Sequence, residues 1–143
     1  MKITIQTMID NSDIPPKLIR AVIAQSGGWE SFKESARDMA RQIDGGFSGW
    51  IFYTETVKFT QLHKDNIIDM AEGMADQFGQ GTMEMILGFG CMKNLGATVN
   101  ELSRVIYTGR DTKDGIKTQV YNCLAWYAAE SVARLYDDLC DGI

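Results

Sequence analysis

The last part of the chain constrains the fold most. From Ile116 to Leu139, apolar side chains fall on nearly every side of a helix: Val120, Tyr121, Cys123, Leu124, Trp126, Tyr127, Ala128, Val132, Leu135 and Tyr136. A helix with one apolar stripe lies on a surface, whereas one that is apolar all round has to be enclosed. The rest of the chain must supply what encloses it. With 143 residues, 45% hydrophobic and 23% charged, the chain has one domain's length and an ordinary globular composition. Such a chain buries about two thirds of its unfolded surface without help from disulfides or metal. The expectation is an all-α single domain over 1–143, a compact bundle of seven or eight helices around a central C-terminal helix.

The other helices follow from period and punctuation. Ile5, Met8 and Ile9 at i, i+3, i+4 predict a first short helix between Thr4 and Asn11. The adjacent Pro15 and Pro16 open a second, because proline is tolerated in a first turn; Leu18, Ile19, Val22 and Ile23 line it and Ser26-Gly27-Gly28 stops it. Trp29, Phe32, Ala36, Met39, Ala40 and Ile43 carry a third over 29–43, with Glu30, Glu34, Arg37, Asp38 and Arg41 as charge neighbours on its polar face. Asp44-Gly45-Gly46-Phe47-Ser48-Gly49 reads as a loop, and Trp50-Ile51-Phe52-Tyr53-Thr54 as an extended segment, so that one short extended piece is expected near 47–54. Thr54 then caps a helix bearing Val57, Phe59 and Leu62, and a longer helix runs from about Lys64 to Phe78, ahead of Gly79 and Gly81. A short helix fits Thr82 to Phe89. Thr98 with Glu101 three residues later is a capping-box pattern that opens a helix through Ile106, and Gly109 to Gly115 is the most polar loop.

Charge and cysteine usage exclude several classes. Lys and Arg number 14 against 19 Asp and Glu, a net charge of −5, which argues against direct nucleic-acid binding through clustered basic side chains. No apolar run approaches the ~20 residues of a membrane span, and Met1-Lys2-Ile3-Thr4-Ile5-Gln6 lacks a signal peptide's apolar core. Cys91, Cys123 and Cys140 are odd in number and widely spaced, as reduced thiols in a cytosol are. The expected location is the cytoplasm.

Catalytic signatures are missing. The sequence has no G-x-S-x-G, H-E-x-x-H, P-loop or G-x-G-x-x-G. His63, the only histidine, falls at the junction of two predicted helices, where capping or a hinge is its expected role. A zinc site would need His63 and all three cysteines to converge, and Asp111 to Gly115 fails as a calcium loop because Lys113 takes a ligand position. No metal, cofactor or enzymatic activity is expected. Asp137, Asp138 and Asp141 near the C-terminus read as solvating charges. The Gly27-Gly28-Trp29 to Phe32 and Gly45-Gly46-Phe47 to Trp50 stretches place an aromatic beside a flexible turn, either as a core plug or as an interface anchor. Met70, Met74, Met83, Met85 and Met92 suggest an adaptable core.

The most specific charge feature is Asp65, Asp69, Glu72 and Asp76. At roughly 100° per residue they share an arc of about 60°, opposite Ile67, Ile68, Ala71, Met74, Ala75 and Phe78. Solvated helix faces usually relieve such repulsion with Lys or Arg one turn away, yet no basic residue occurs between Lys64 and Lys93. The ridge is about 16 Å long at ~1.5 Å per residue. It is either a partner-binding surface for something basic or an exposed face of an acidic protein.

Ile14-Pro15-Pro16-Lys17-Leu18-Ile19-Arg20, Gly27-Gly28-Trp29-Glu30-Ser31-Phe32, Asp44-Gly45-Gly46-Phe47 and Leu124-Ala125-Trp126-Tyr127-Ala128 occur in that order over most of the chain. Together they resemble an uncharacterised family of small proteins, a domain of unknown function, from bacteriophages, prophages and other mobile elements. The resemblance implies context and transfers no catalytic residue. It implies an accessory protein that binds and inhibits a host macromolecule in the host cytosol. An anti-defence inhibitor of the anti-CRISPR type, which occludes a nucleic-acid-binding surface of a host defence effector, fits this context; a homo-oligomer is compatible with it. Two alternatives stand beside it: a small-ligand-binding protein or enzyme with a pocket near the Gly-rich 44–50 segment, where His63 and a carboxylate would converge, and a virion or assembly component.

Overall fold

The computed structural model describes residues 2–41, 56–87, 96–111 and 115–142. Among these the fold is all-α, with seven helices and no strand: α1 Ile5–Asp10, α2 Pro16–Gln25, α3 Trp29–Arg41, α4 Thr56–Phe78, α5 Thr82–Leu87, α6 Val99–Thr108 and α7 Ile116–Gly142. The segment near 47–54, expected to be extended, and the second glycine–aromatic stretch lie outside the described residues.

The chain divides into two compact units. The first holds α1, α2, α3 and α7 from Ala128 onward; the second holds α4, α5, α6 and α7 up to Tyr127. Between Val120 and Ala133 every residue of α7 is buried except Asn122 and Trp126, as its all-round apolar pattern requires. Trp126 is only half-buried, on a helix whose pattern had suggested full enclosure.

In the first unit, local signals set the helix ends. Thr4 and Thr7 cap α1 reciprocally, each backbone N–H donating to the other's hydroxyl at 3.0 and 3.1 Å. Pro16 stands in the first turn of α2, which packs on α1 and α3 through the buried Leu18, Ile19, Val22 and Ile23. Gly27 and Gly28, at φ of 94° and 106°, end it in a backbone conformation that other residues resist, and α3 begins at the next residue. Phe32 is fully buried there. It stacks on Trp29 at 5.9 Å between centroids and meets the edge of Tyr136 at 5.7 Å, so this glycine–aromatic stretch is a core plug.

Two charge expectations change here. Arg37, placed by sequence beside Glu30 and Glu34, instead donates from Nε to Asp137 Oδ1 at 2.9 Å and from Nη2 to Asp141 Oδ1 at 2.6 Å. The hydrogen bond to Asp137 raises the guanidinium pKa further. Asp137 and Asp141 are thus ion-pair partners that tie α7 to α3, and only Asp138 of the three carboxylates is left to solvation. Their partner is about 100 residues away in sequence, which no local pattern reveals.

Candidate functional site

The acidic ridge lies in the second unit, on α4. This helix is continuous over 23 residues where two were expected. Nothing at Leu62-His63-Lys64 can stop it: no proline or glycine stands there, and the chain first leaves the helix at Gly79, φ 67°. Continuity also sets which side chains face inward. Thr60 is fully buried and donates its hydroxyl to the Tyr121 carbonyl of α7 at 2.6 Å, whereas Leu62 points outward, 71% exposed. His63 is therefore mid-helix and neither a cap nor a hinge; its ring lies 4.8 Å from that of Phe59.

Below this point α4 follows its periodicity. Ile67, Ile68, Met70, Ala71 and Ala75 are buried, and α5 packs on the helix. Met74 is half-buried and its sulfur accepts a hydrogen bond from the buried Tyr127 hydroxyl at 3.5 Å. Phe78, expected on the apolar face, is the last residue of α4 and is 60% exposed. Desolvation raises the Tyr127 phenol pKa to about 12.

Opposite this face, Asp65, Asp69, Glu72 and Asp76 are all exposed. None of them makes an ion pair or side-chain hydrogen bond among the described residues. Lys64 precedes the ridge but does not neutralise it. Its neighbours one turn on are the buried Ile67 and Ile68, so it lies on a different side of the helix. The ridge is thus a row of hydrated carboxylates on a rigid element, chemically suited to meet guanidinium and ammonium groups. Acid–base catalysis would need carboxylates whose environments differ, and these four share one.

Among the described residues no group of His, Cys, Asp and Glu gathers as a metal-ligand set, and no helix is long and apolar enough to cross a membrane. The 44–50 segment proposed to line a small-ligand pocket lies outside the described residues. Sequence reasoning missed a second charged feature: Arg104, Thr108, Arg110 and Asp111 line a cavity of about 520 Å³ at the turn between α6 and α7. The only sequence trace of it is the polarity of the 109–115 loop. Comparison with known families, curated proteins and solved structures finds no family model, no curated protein and no solved structure that matches the chain.

Proposed function

We propose that the protein is a non-enzymatic binding protein that lays the acidic ridge of α4 against a Lys/Arg-rich surface of another macromolecule. One observation carries this reading. Asp65, Asp69, Glu72 and Asp76 are exposed on one arc of one helix, with no cation partner among the described residues. Lys- and Arg-rich surfaces also serve nucleic-acid phosphates, so a ridge docked on such a surface would compete with nucleic acid. The resemblance to mobile-element proteins specifies the rest of the proposal: a phage or mobile-element accessory protein that inhibits a nucleic-acid-binding defence effector of its host, acting in the host cytosol.

The test is kinetic. A partner is captured from host lysate, identified by mass spectrometry and immobilised, and association is followed by surface plasmon resonance. Reversing all four acids to Lys leaves the fold intact, because these positions lie opposite the buried face of α4. The on-rate should fall by about tenfold or more at low ionic strength, and the deficit should shrink as salt rises. Nucleic acid bound to the partner should compete with the native chain. Unchanged rates for the folded variant across that salt range would refute the reading.

A further inference from the structure

Two arginines, one on α6 and one just after it, line a single pocket in a chain whose net charge is −5. Arg104 and Thr108 are one turn apart on α6, and the Thr108 hydroxyl donates to the Arg104 carbonyl at 2.5 Å. Gly109 then takes φ 70°, returns its N–H to the Val105 carbonyl and reverses the chain. Arg110 follows, its N–H donating to Thr108 Oγ1 at 3.2 Å. This fold-back brings Arg104 and Arg110, both exposed, to the lining of one open surface pocket of about 520 Å³.

The acid in that wall is partly engaged already. Asp111 Oδ1 accepts the N–H of Lys117 at 3.0 Å, capping the start of α7. Neither Arg104 nor Arg110 pairs with a carboxylate among the described residues. The Lys64 ammonium group borders the turn. Lys64 Nζ lies 3.6 Å from where a Cβ on Gly109 would stand, and the Tyr121 hydroxyl lies 3.3 Å from that point. Lys117 Nζ is 5.4 Å from the centre of the Tyr121 ring. Among the described lining residues, Arg104 and Arg110 stand against the carboxylate of Asp111, with Lys64 beside the turn.

We propose that this cavity is an anion site for a pyrophosphoryl group, carried by a nucleotide or free in solution. The cavity falls within the roughly 300–1,000 Å³ of small-molecule sites. Two of its four described lining residues are arginines, which favours a small, multiply charged anion over a neutral ligand. Two planar guanidinium forks match two phosphoryl groups, each taking a bidentate pair of charge-assisted hydrogen bonds. A single carboxylate would engage only one of the two guanidinium groups in a bidentate pair. The N–H groups of the 109–111 turn are already engaged in part by the chain itself, so the side chains of Arg104 and Arg110 supply the recognition.

Isothermal titration calorimetry of the full chain with inorganic pyrophosphate, and separately with ADP, tests the site. Saturable binding of pyrophosphate is expected, with Arg104→Gln and Arg110→Gln each weakening it by about tenfold or more. Arg104→Lys, which keeps the charge and loses the fork, should fall between native and Arg104→Gln. Tighter binding of ADP than of pyrophosphate would assign the group to a nucleotide; equal or weaker binding would assign it to the free anion. Absence of saturable heat for both ligands at millimolar concentration, or binding indifferent to both glutamine substitutions, would overturn the proposal.

Discussion

Neutralising the ridge of α4 should stabilise the protein. Asp65–Asp69 and Glu72–Asp76 are i, i+4 pairs and Asp69–Glu72 is an i, i+3 pair, so three like-charge contacts lie along one exposed line. Each costs a helix about 0.2–0.5 kcal/mol. Asp76 stands in the last turn of α4, which has no basic residue, where the carbonyl end of the helix dipole opposes a negative charge by about 0.3–1 kcal/mol. The sum is roughly 1 to 2.5 kcal/mol. Asp65→Asn, Asp69→Asn, Glu72→Gln and Asp76→Asn together remove these terms while leaving shape nearly unchanged, and Asn and Gln differ little from Asp and Glu in helix propensity.

In a thermal melt followed by far-ultraviolet circular dichroism at low ionic strength, the quadruple variant should gain roughly 4–8 °C in Tm. At half-molar salt the Debye length is about 4 Å, shorter than the ~5–6 Å between neighbouring Cβ atoms on the helix, and the gain should largely vanish. An unchanged or lower Tm at low salt, or a gain that salt does not diminish, would refute the argument. Random exposed substitutions cluster near zero and core substitutions destabilise, so a salt-sensitive gain has few other sources. It would mean that the native chain keeps a strained charge row at a cost to its stability, as binding surfaces do.

Phe32→Ala, which empties a fully buried site and removes ring contacts with Trp29 and Tyr136, should cost about 3–5 kcal/mol in urea denaturation; a loss under about 1 kcal/mol would remove Phe32 from the core. Burial holds the Tyr127 phenol protonated, with its pKa raised from 10.0 to about 12. Its contribution is therefore complete below pH 10 and declines as pH rises toward about 12, by on the order of 2–3 kcal/mol. Comparing Tyr127→Phe with the native chain by urea denaturation across that window isolates this effect; equal pH dependence in the two would contradict it.

What could be read from sequence was what depends on one helix or one turn. The Pro15-Pro16 start and Gly27-Gly28 stop of α2, and the Thr98 cap of α6, whose hydroxyl accepts the Glu101 N–H at 3.1 Å, each involve partners within a few residues. The ridge was legible for the same reason, since helical period alone puts four acids on one arc. Leu62, grouped by sequence with Val57 and Phe59 as apolar, points outward. Its true orientation follows only once Thr60 is known to reach the Tyr121 carbonyl, a contact 61 residues away. Arg37 with Asp137 and Asp141 was illegible on the same ground.

Helical phase on α4 keeps Lys64 apart from the acidic ridge. Lys64 and Asp65 are adjacent in sequence, yet a step of about 100° turns them to different sides of the helix. Asp65 begins the exposed arc that continues through Asp69, Glu72 and Asp76. Lys64 turns instead to another side, where its Nζ lies 3.6 Å from the point a Cβ on Gly109 would occupy. A lysine one position later would have met Asp69 at i+4 and neutralised the ridge where it begins. The same displacement would have taken a cation from the border of Arg104 and Arg110. Segregation of Lys64 from the acids of α4 is thus a consequence of helical phase.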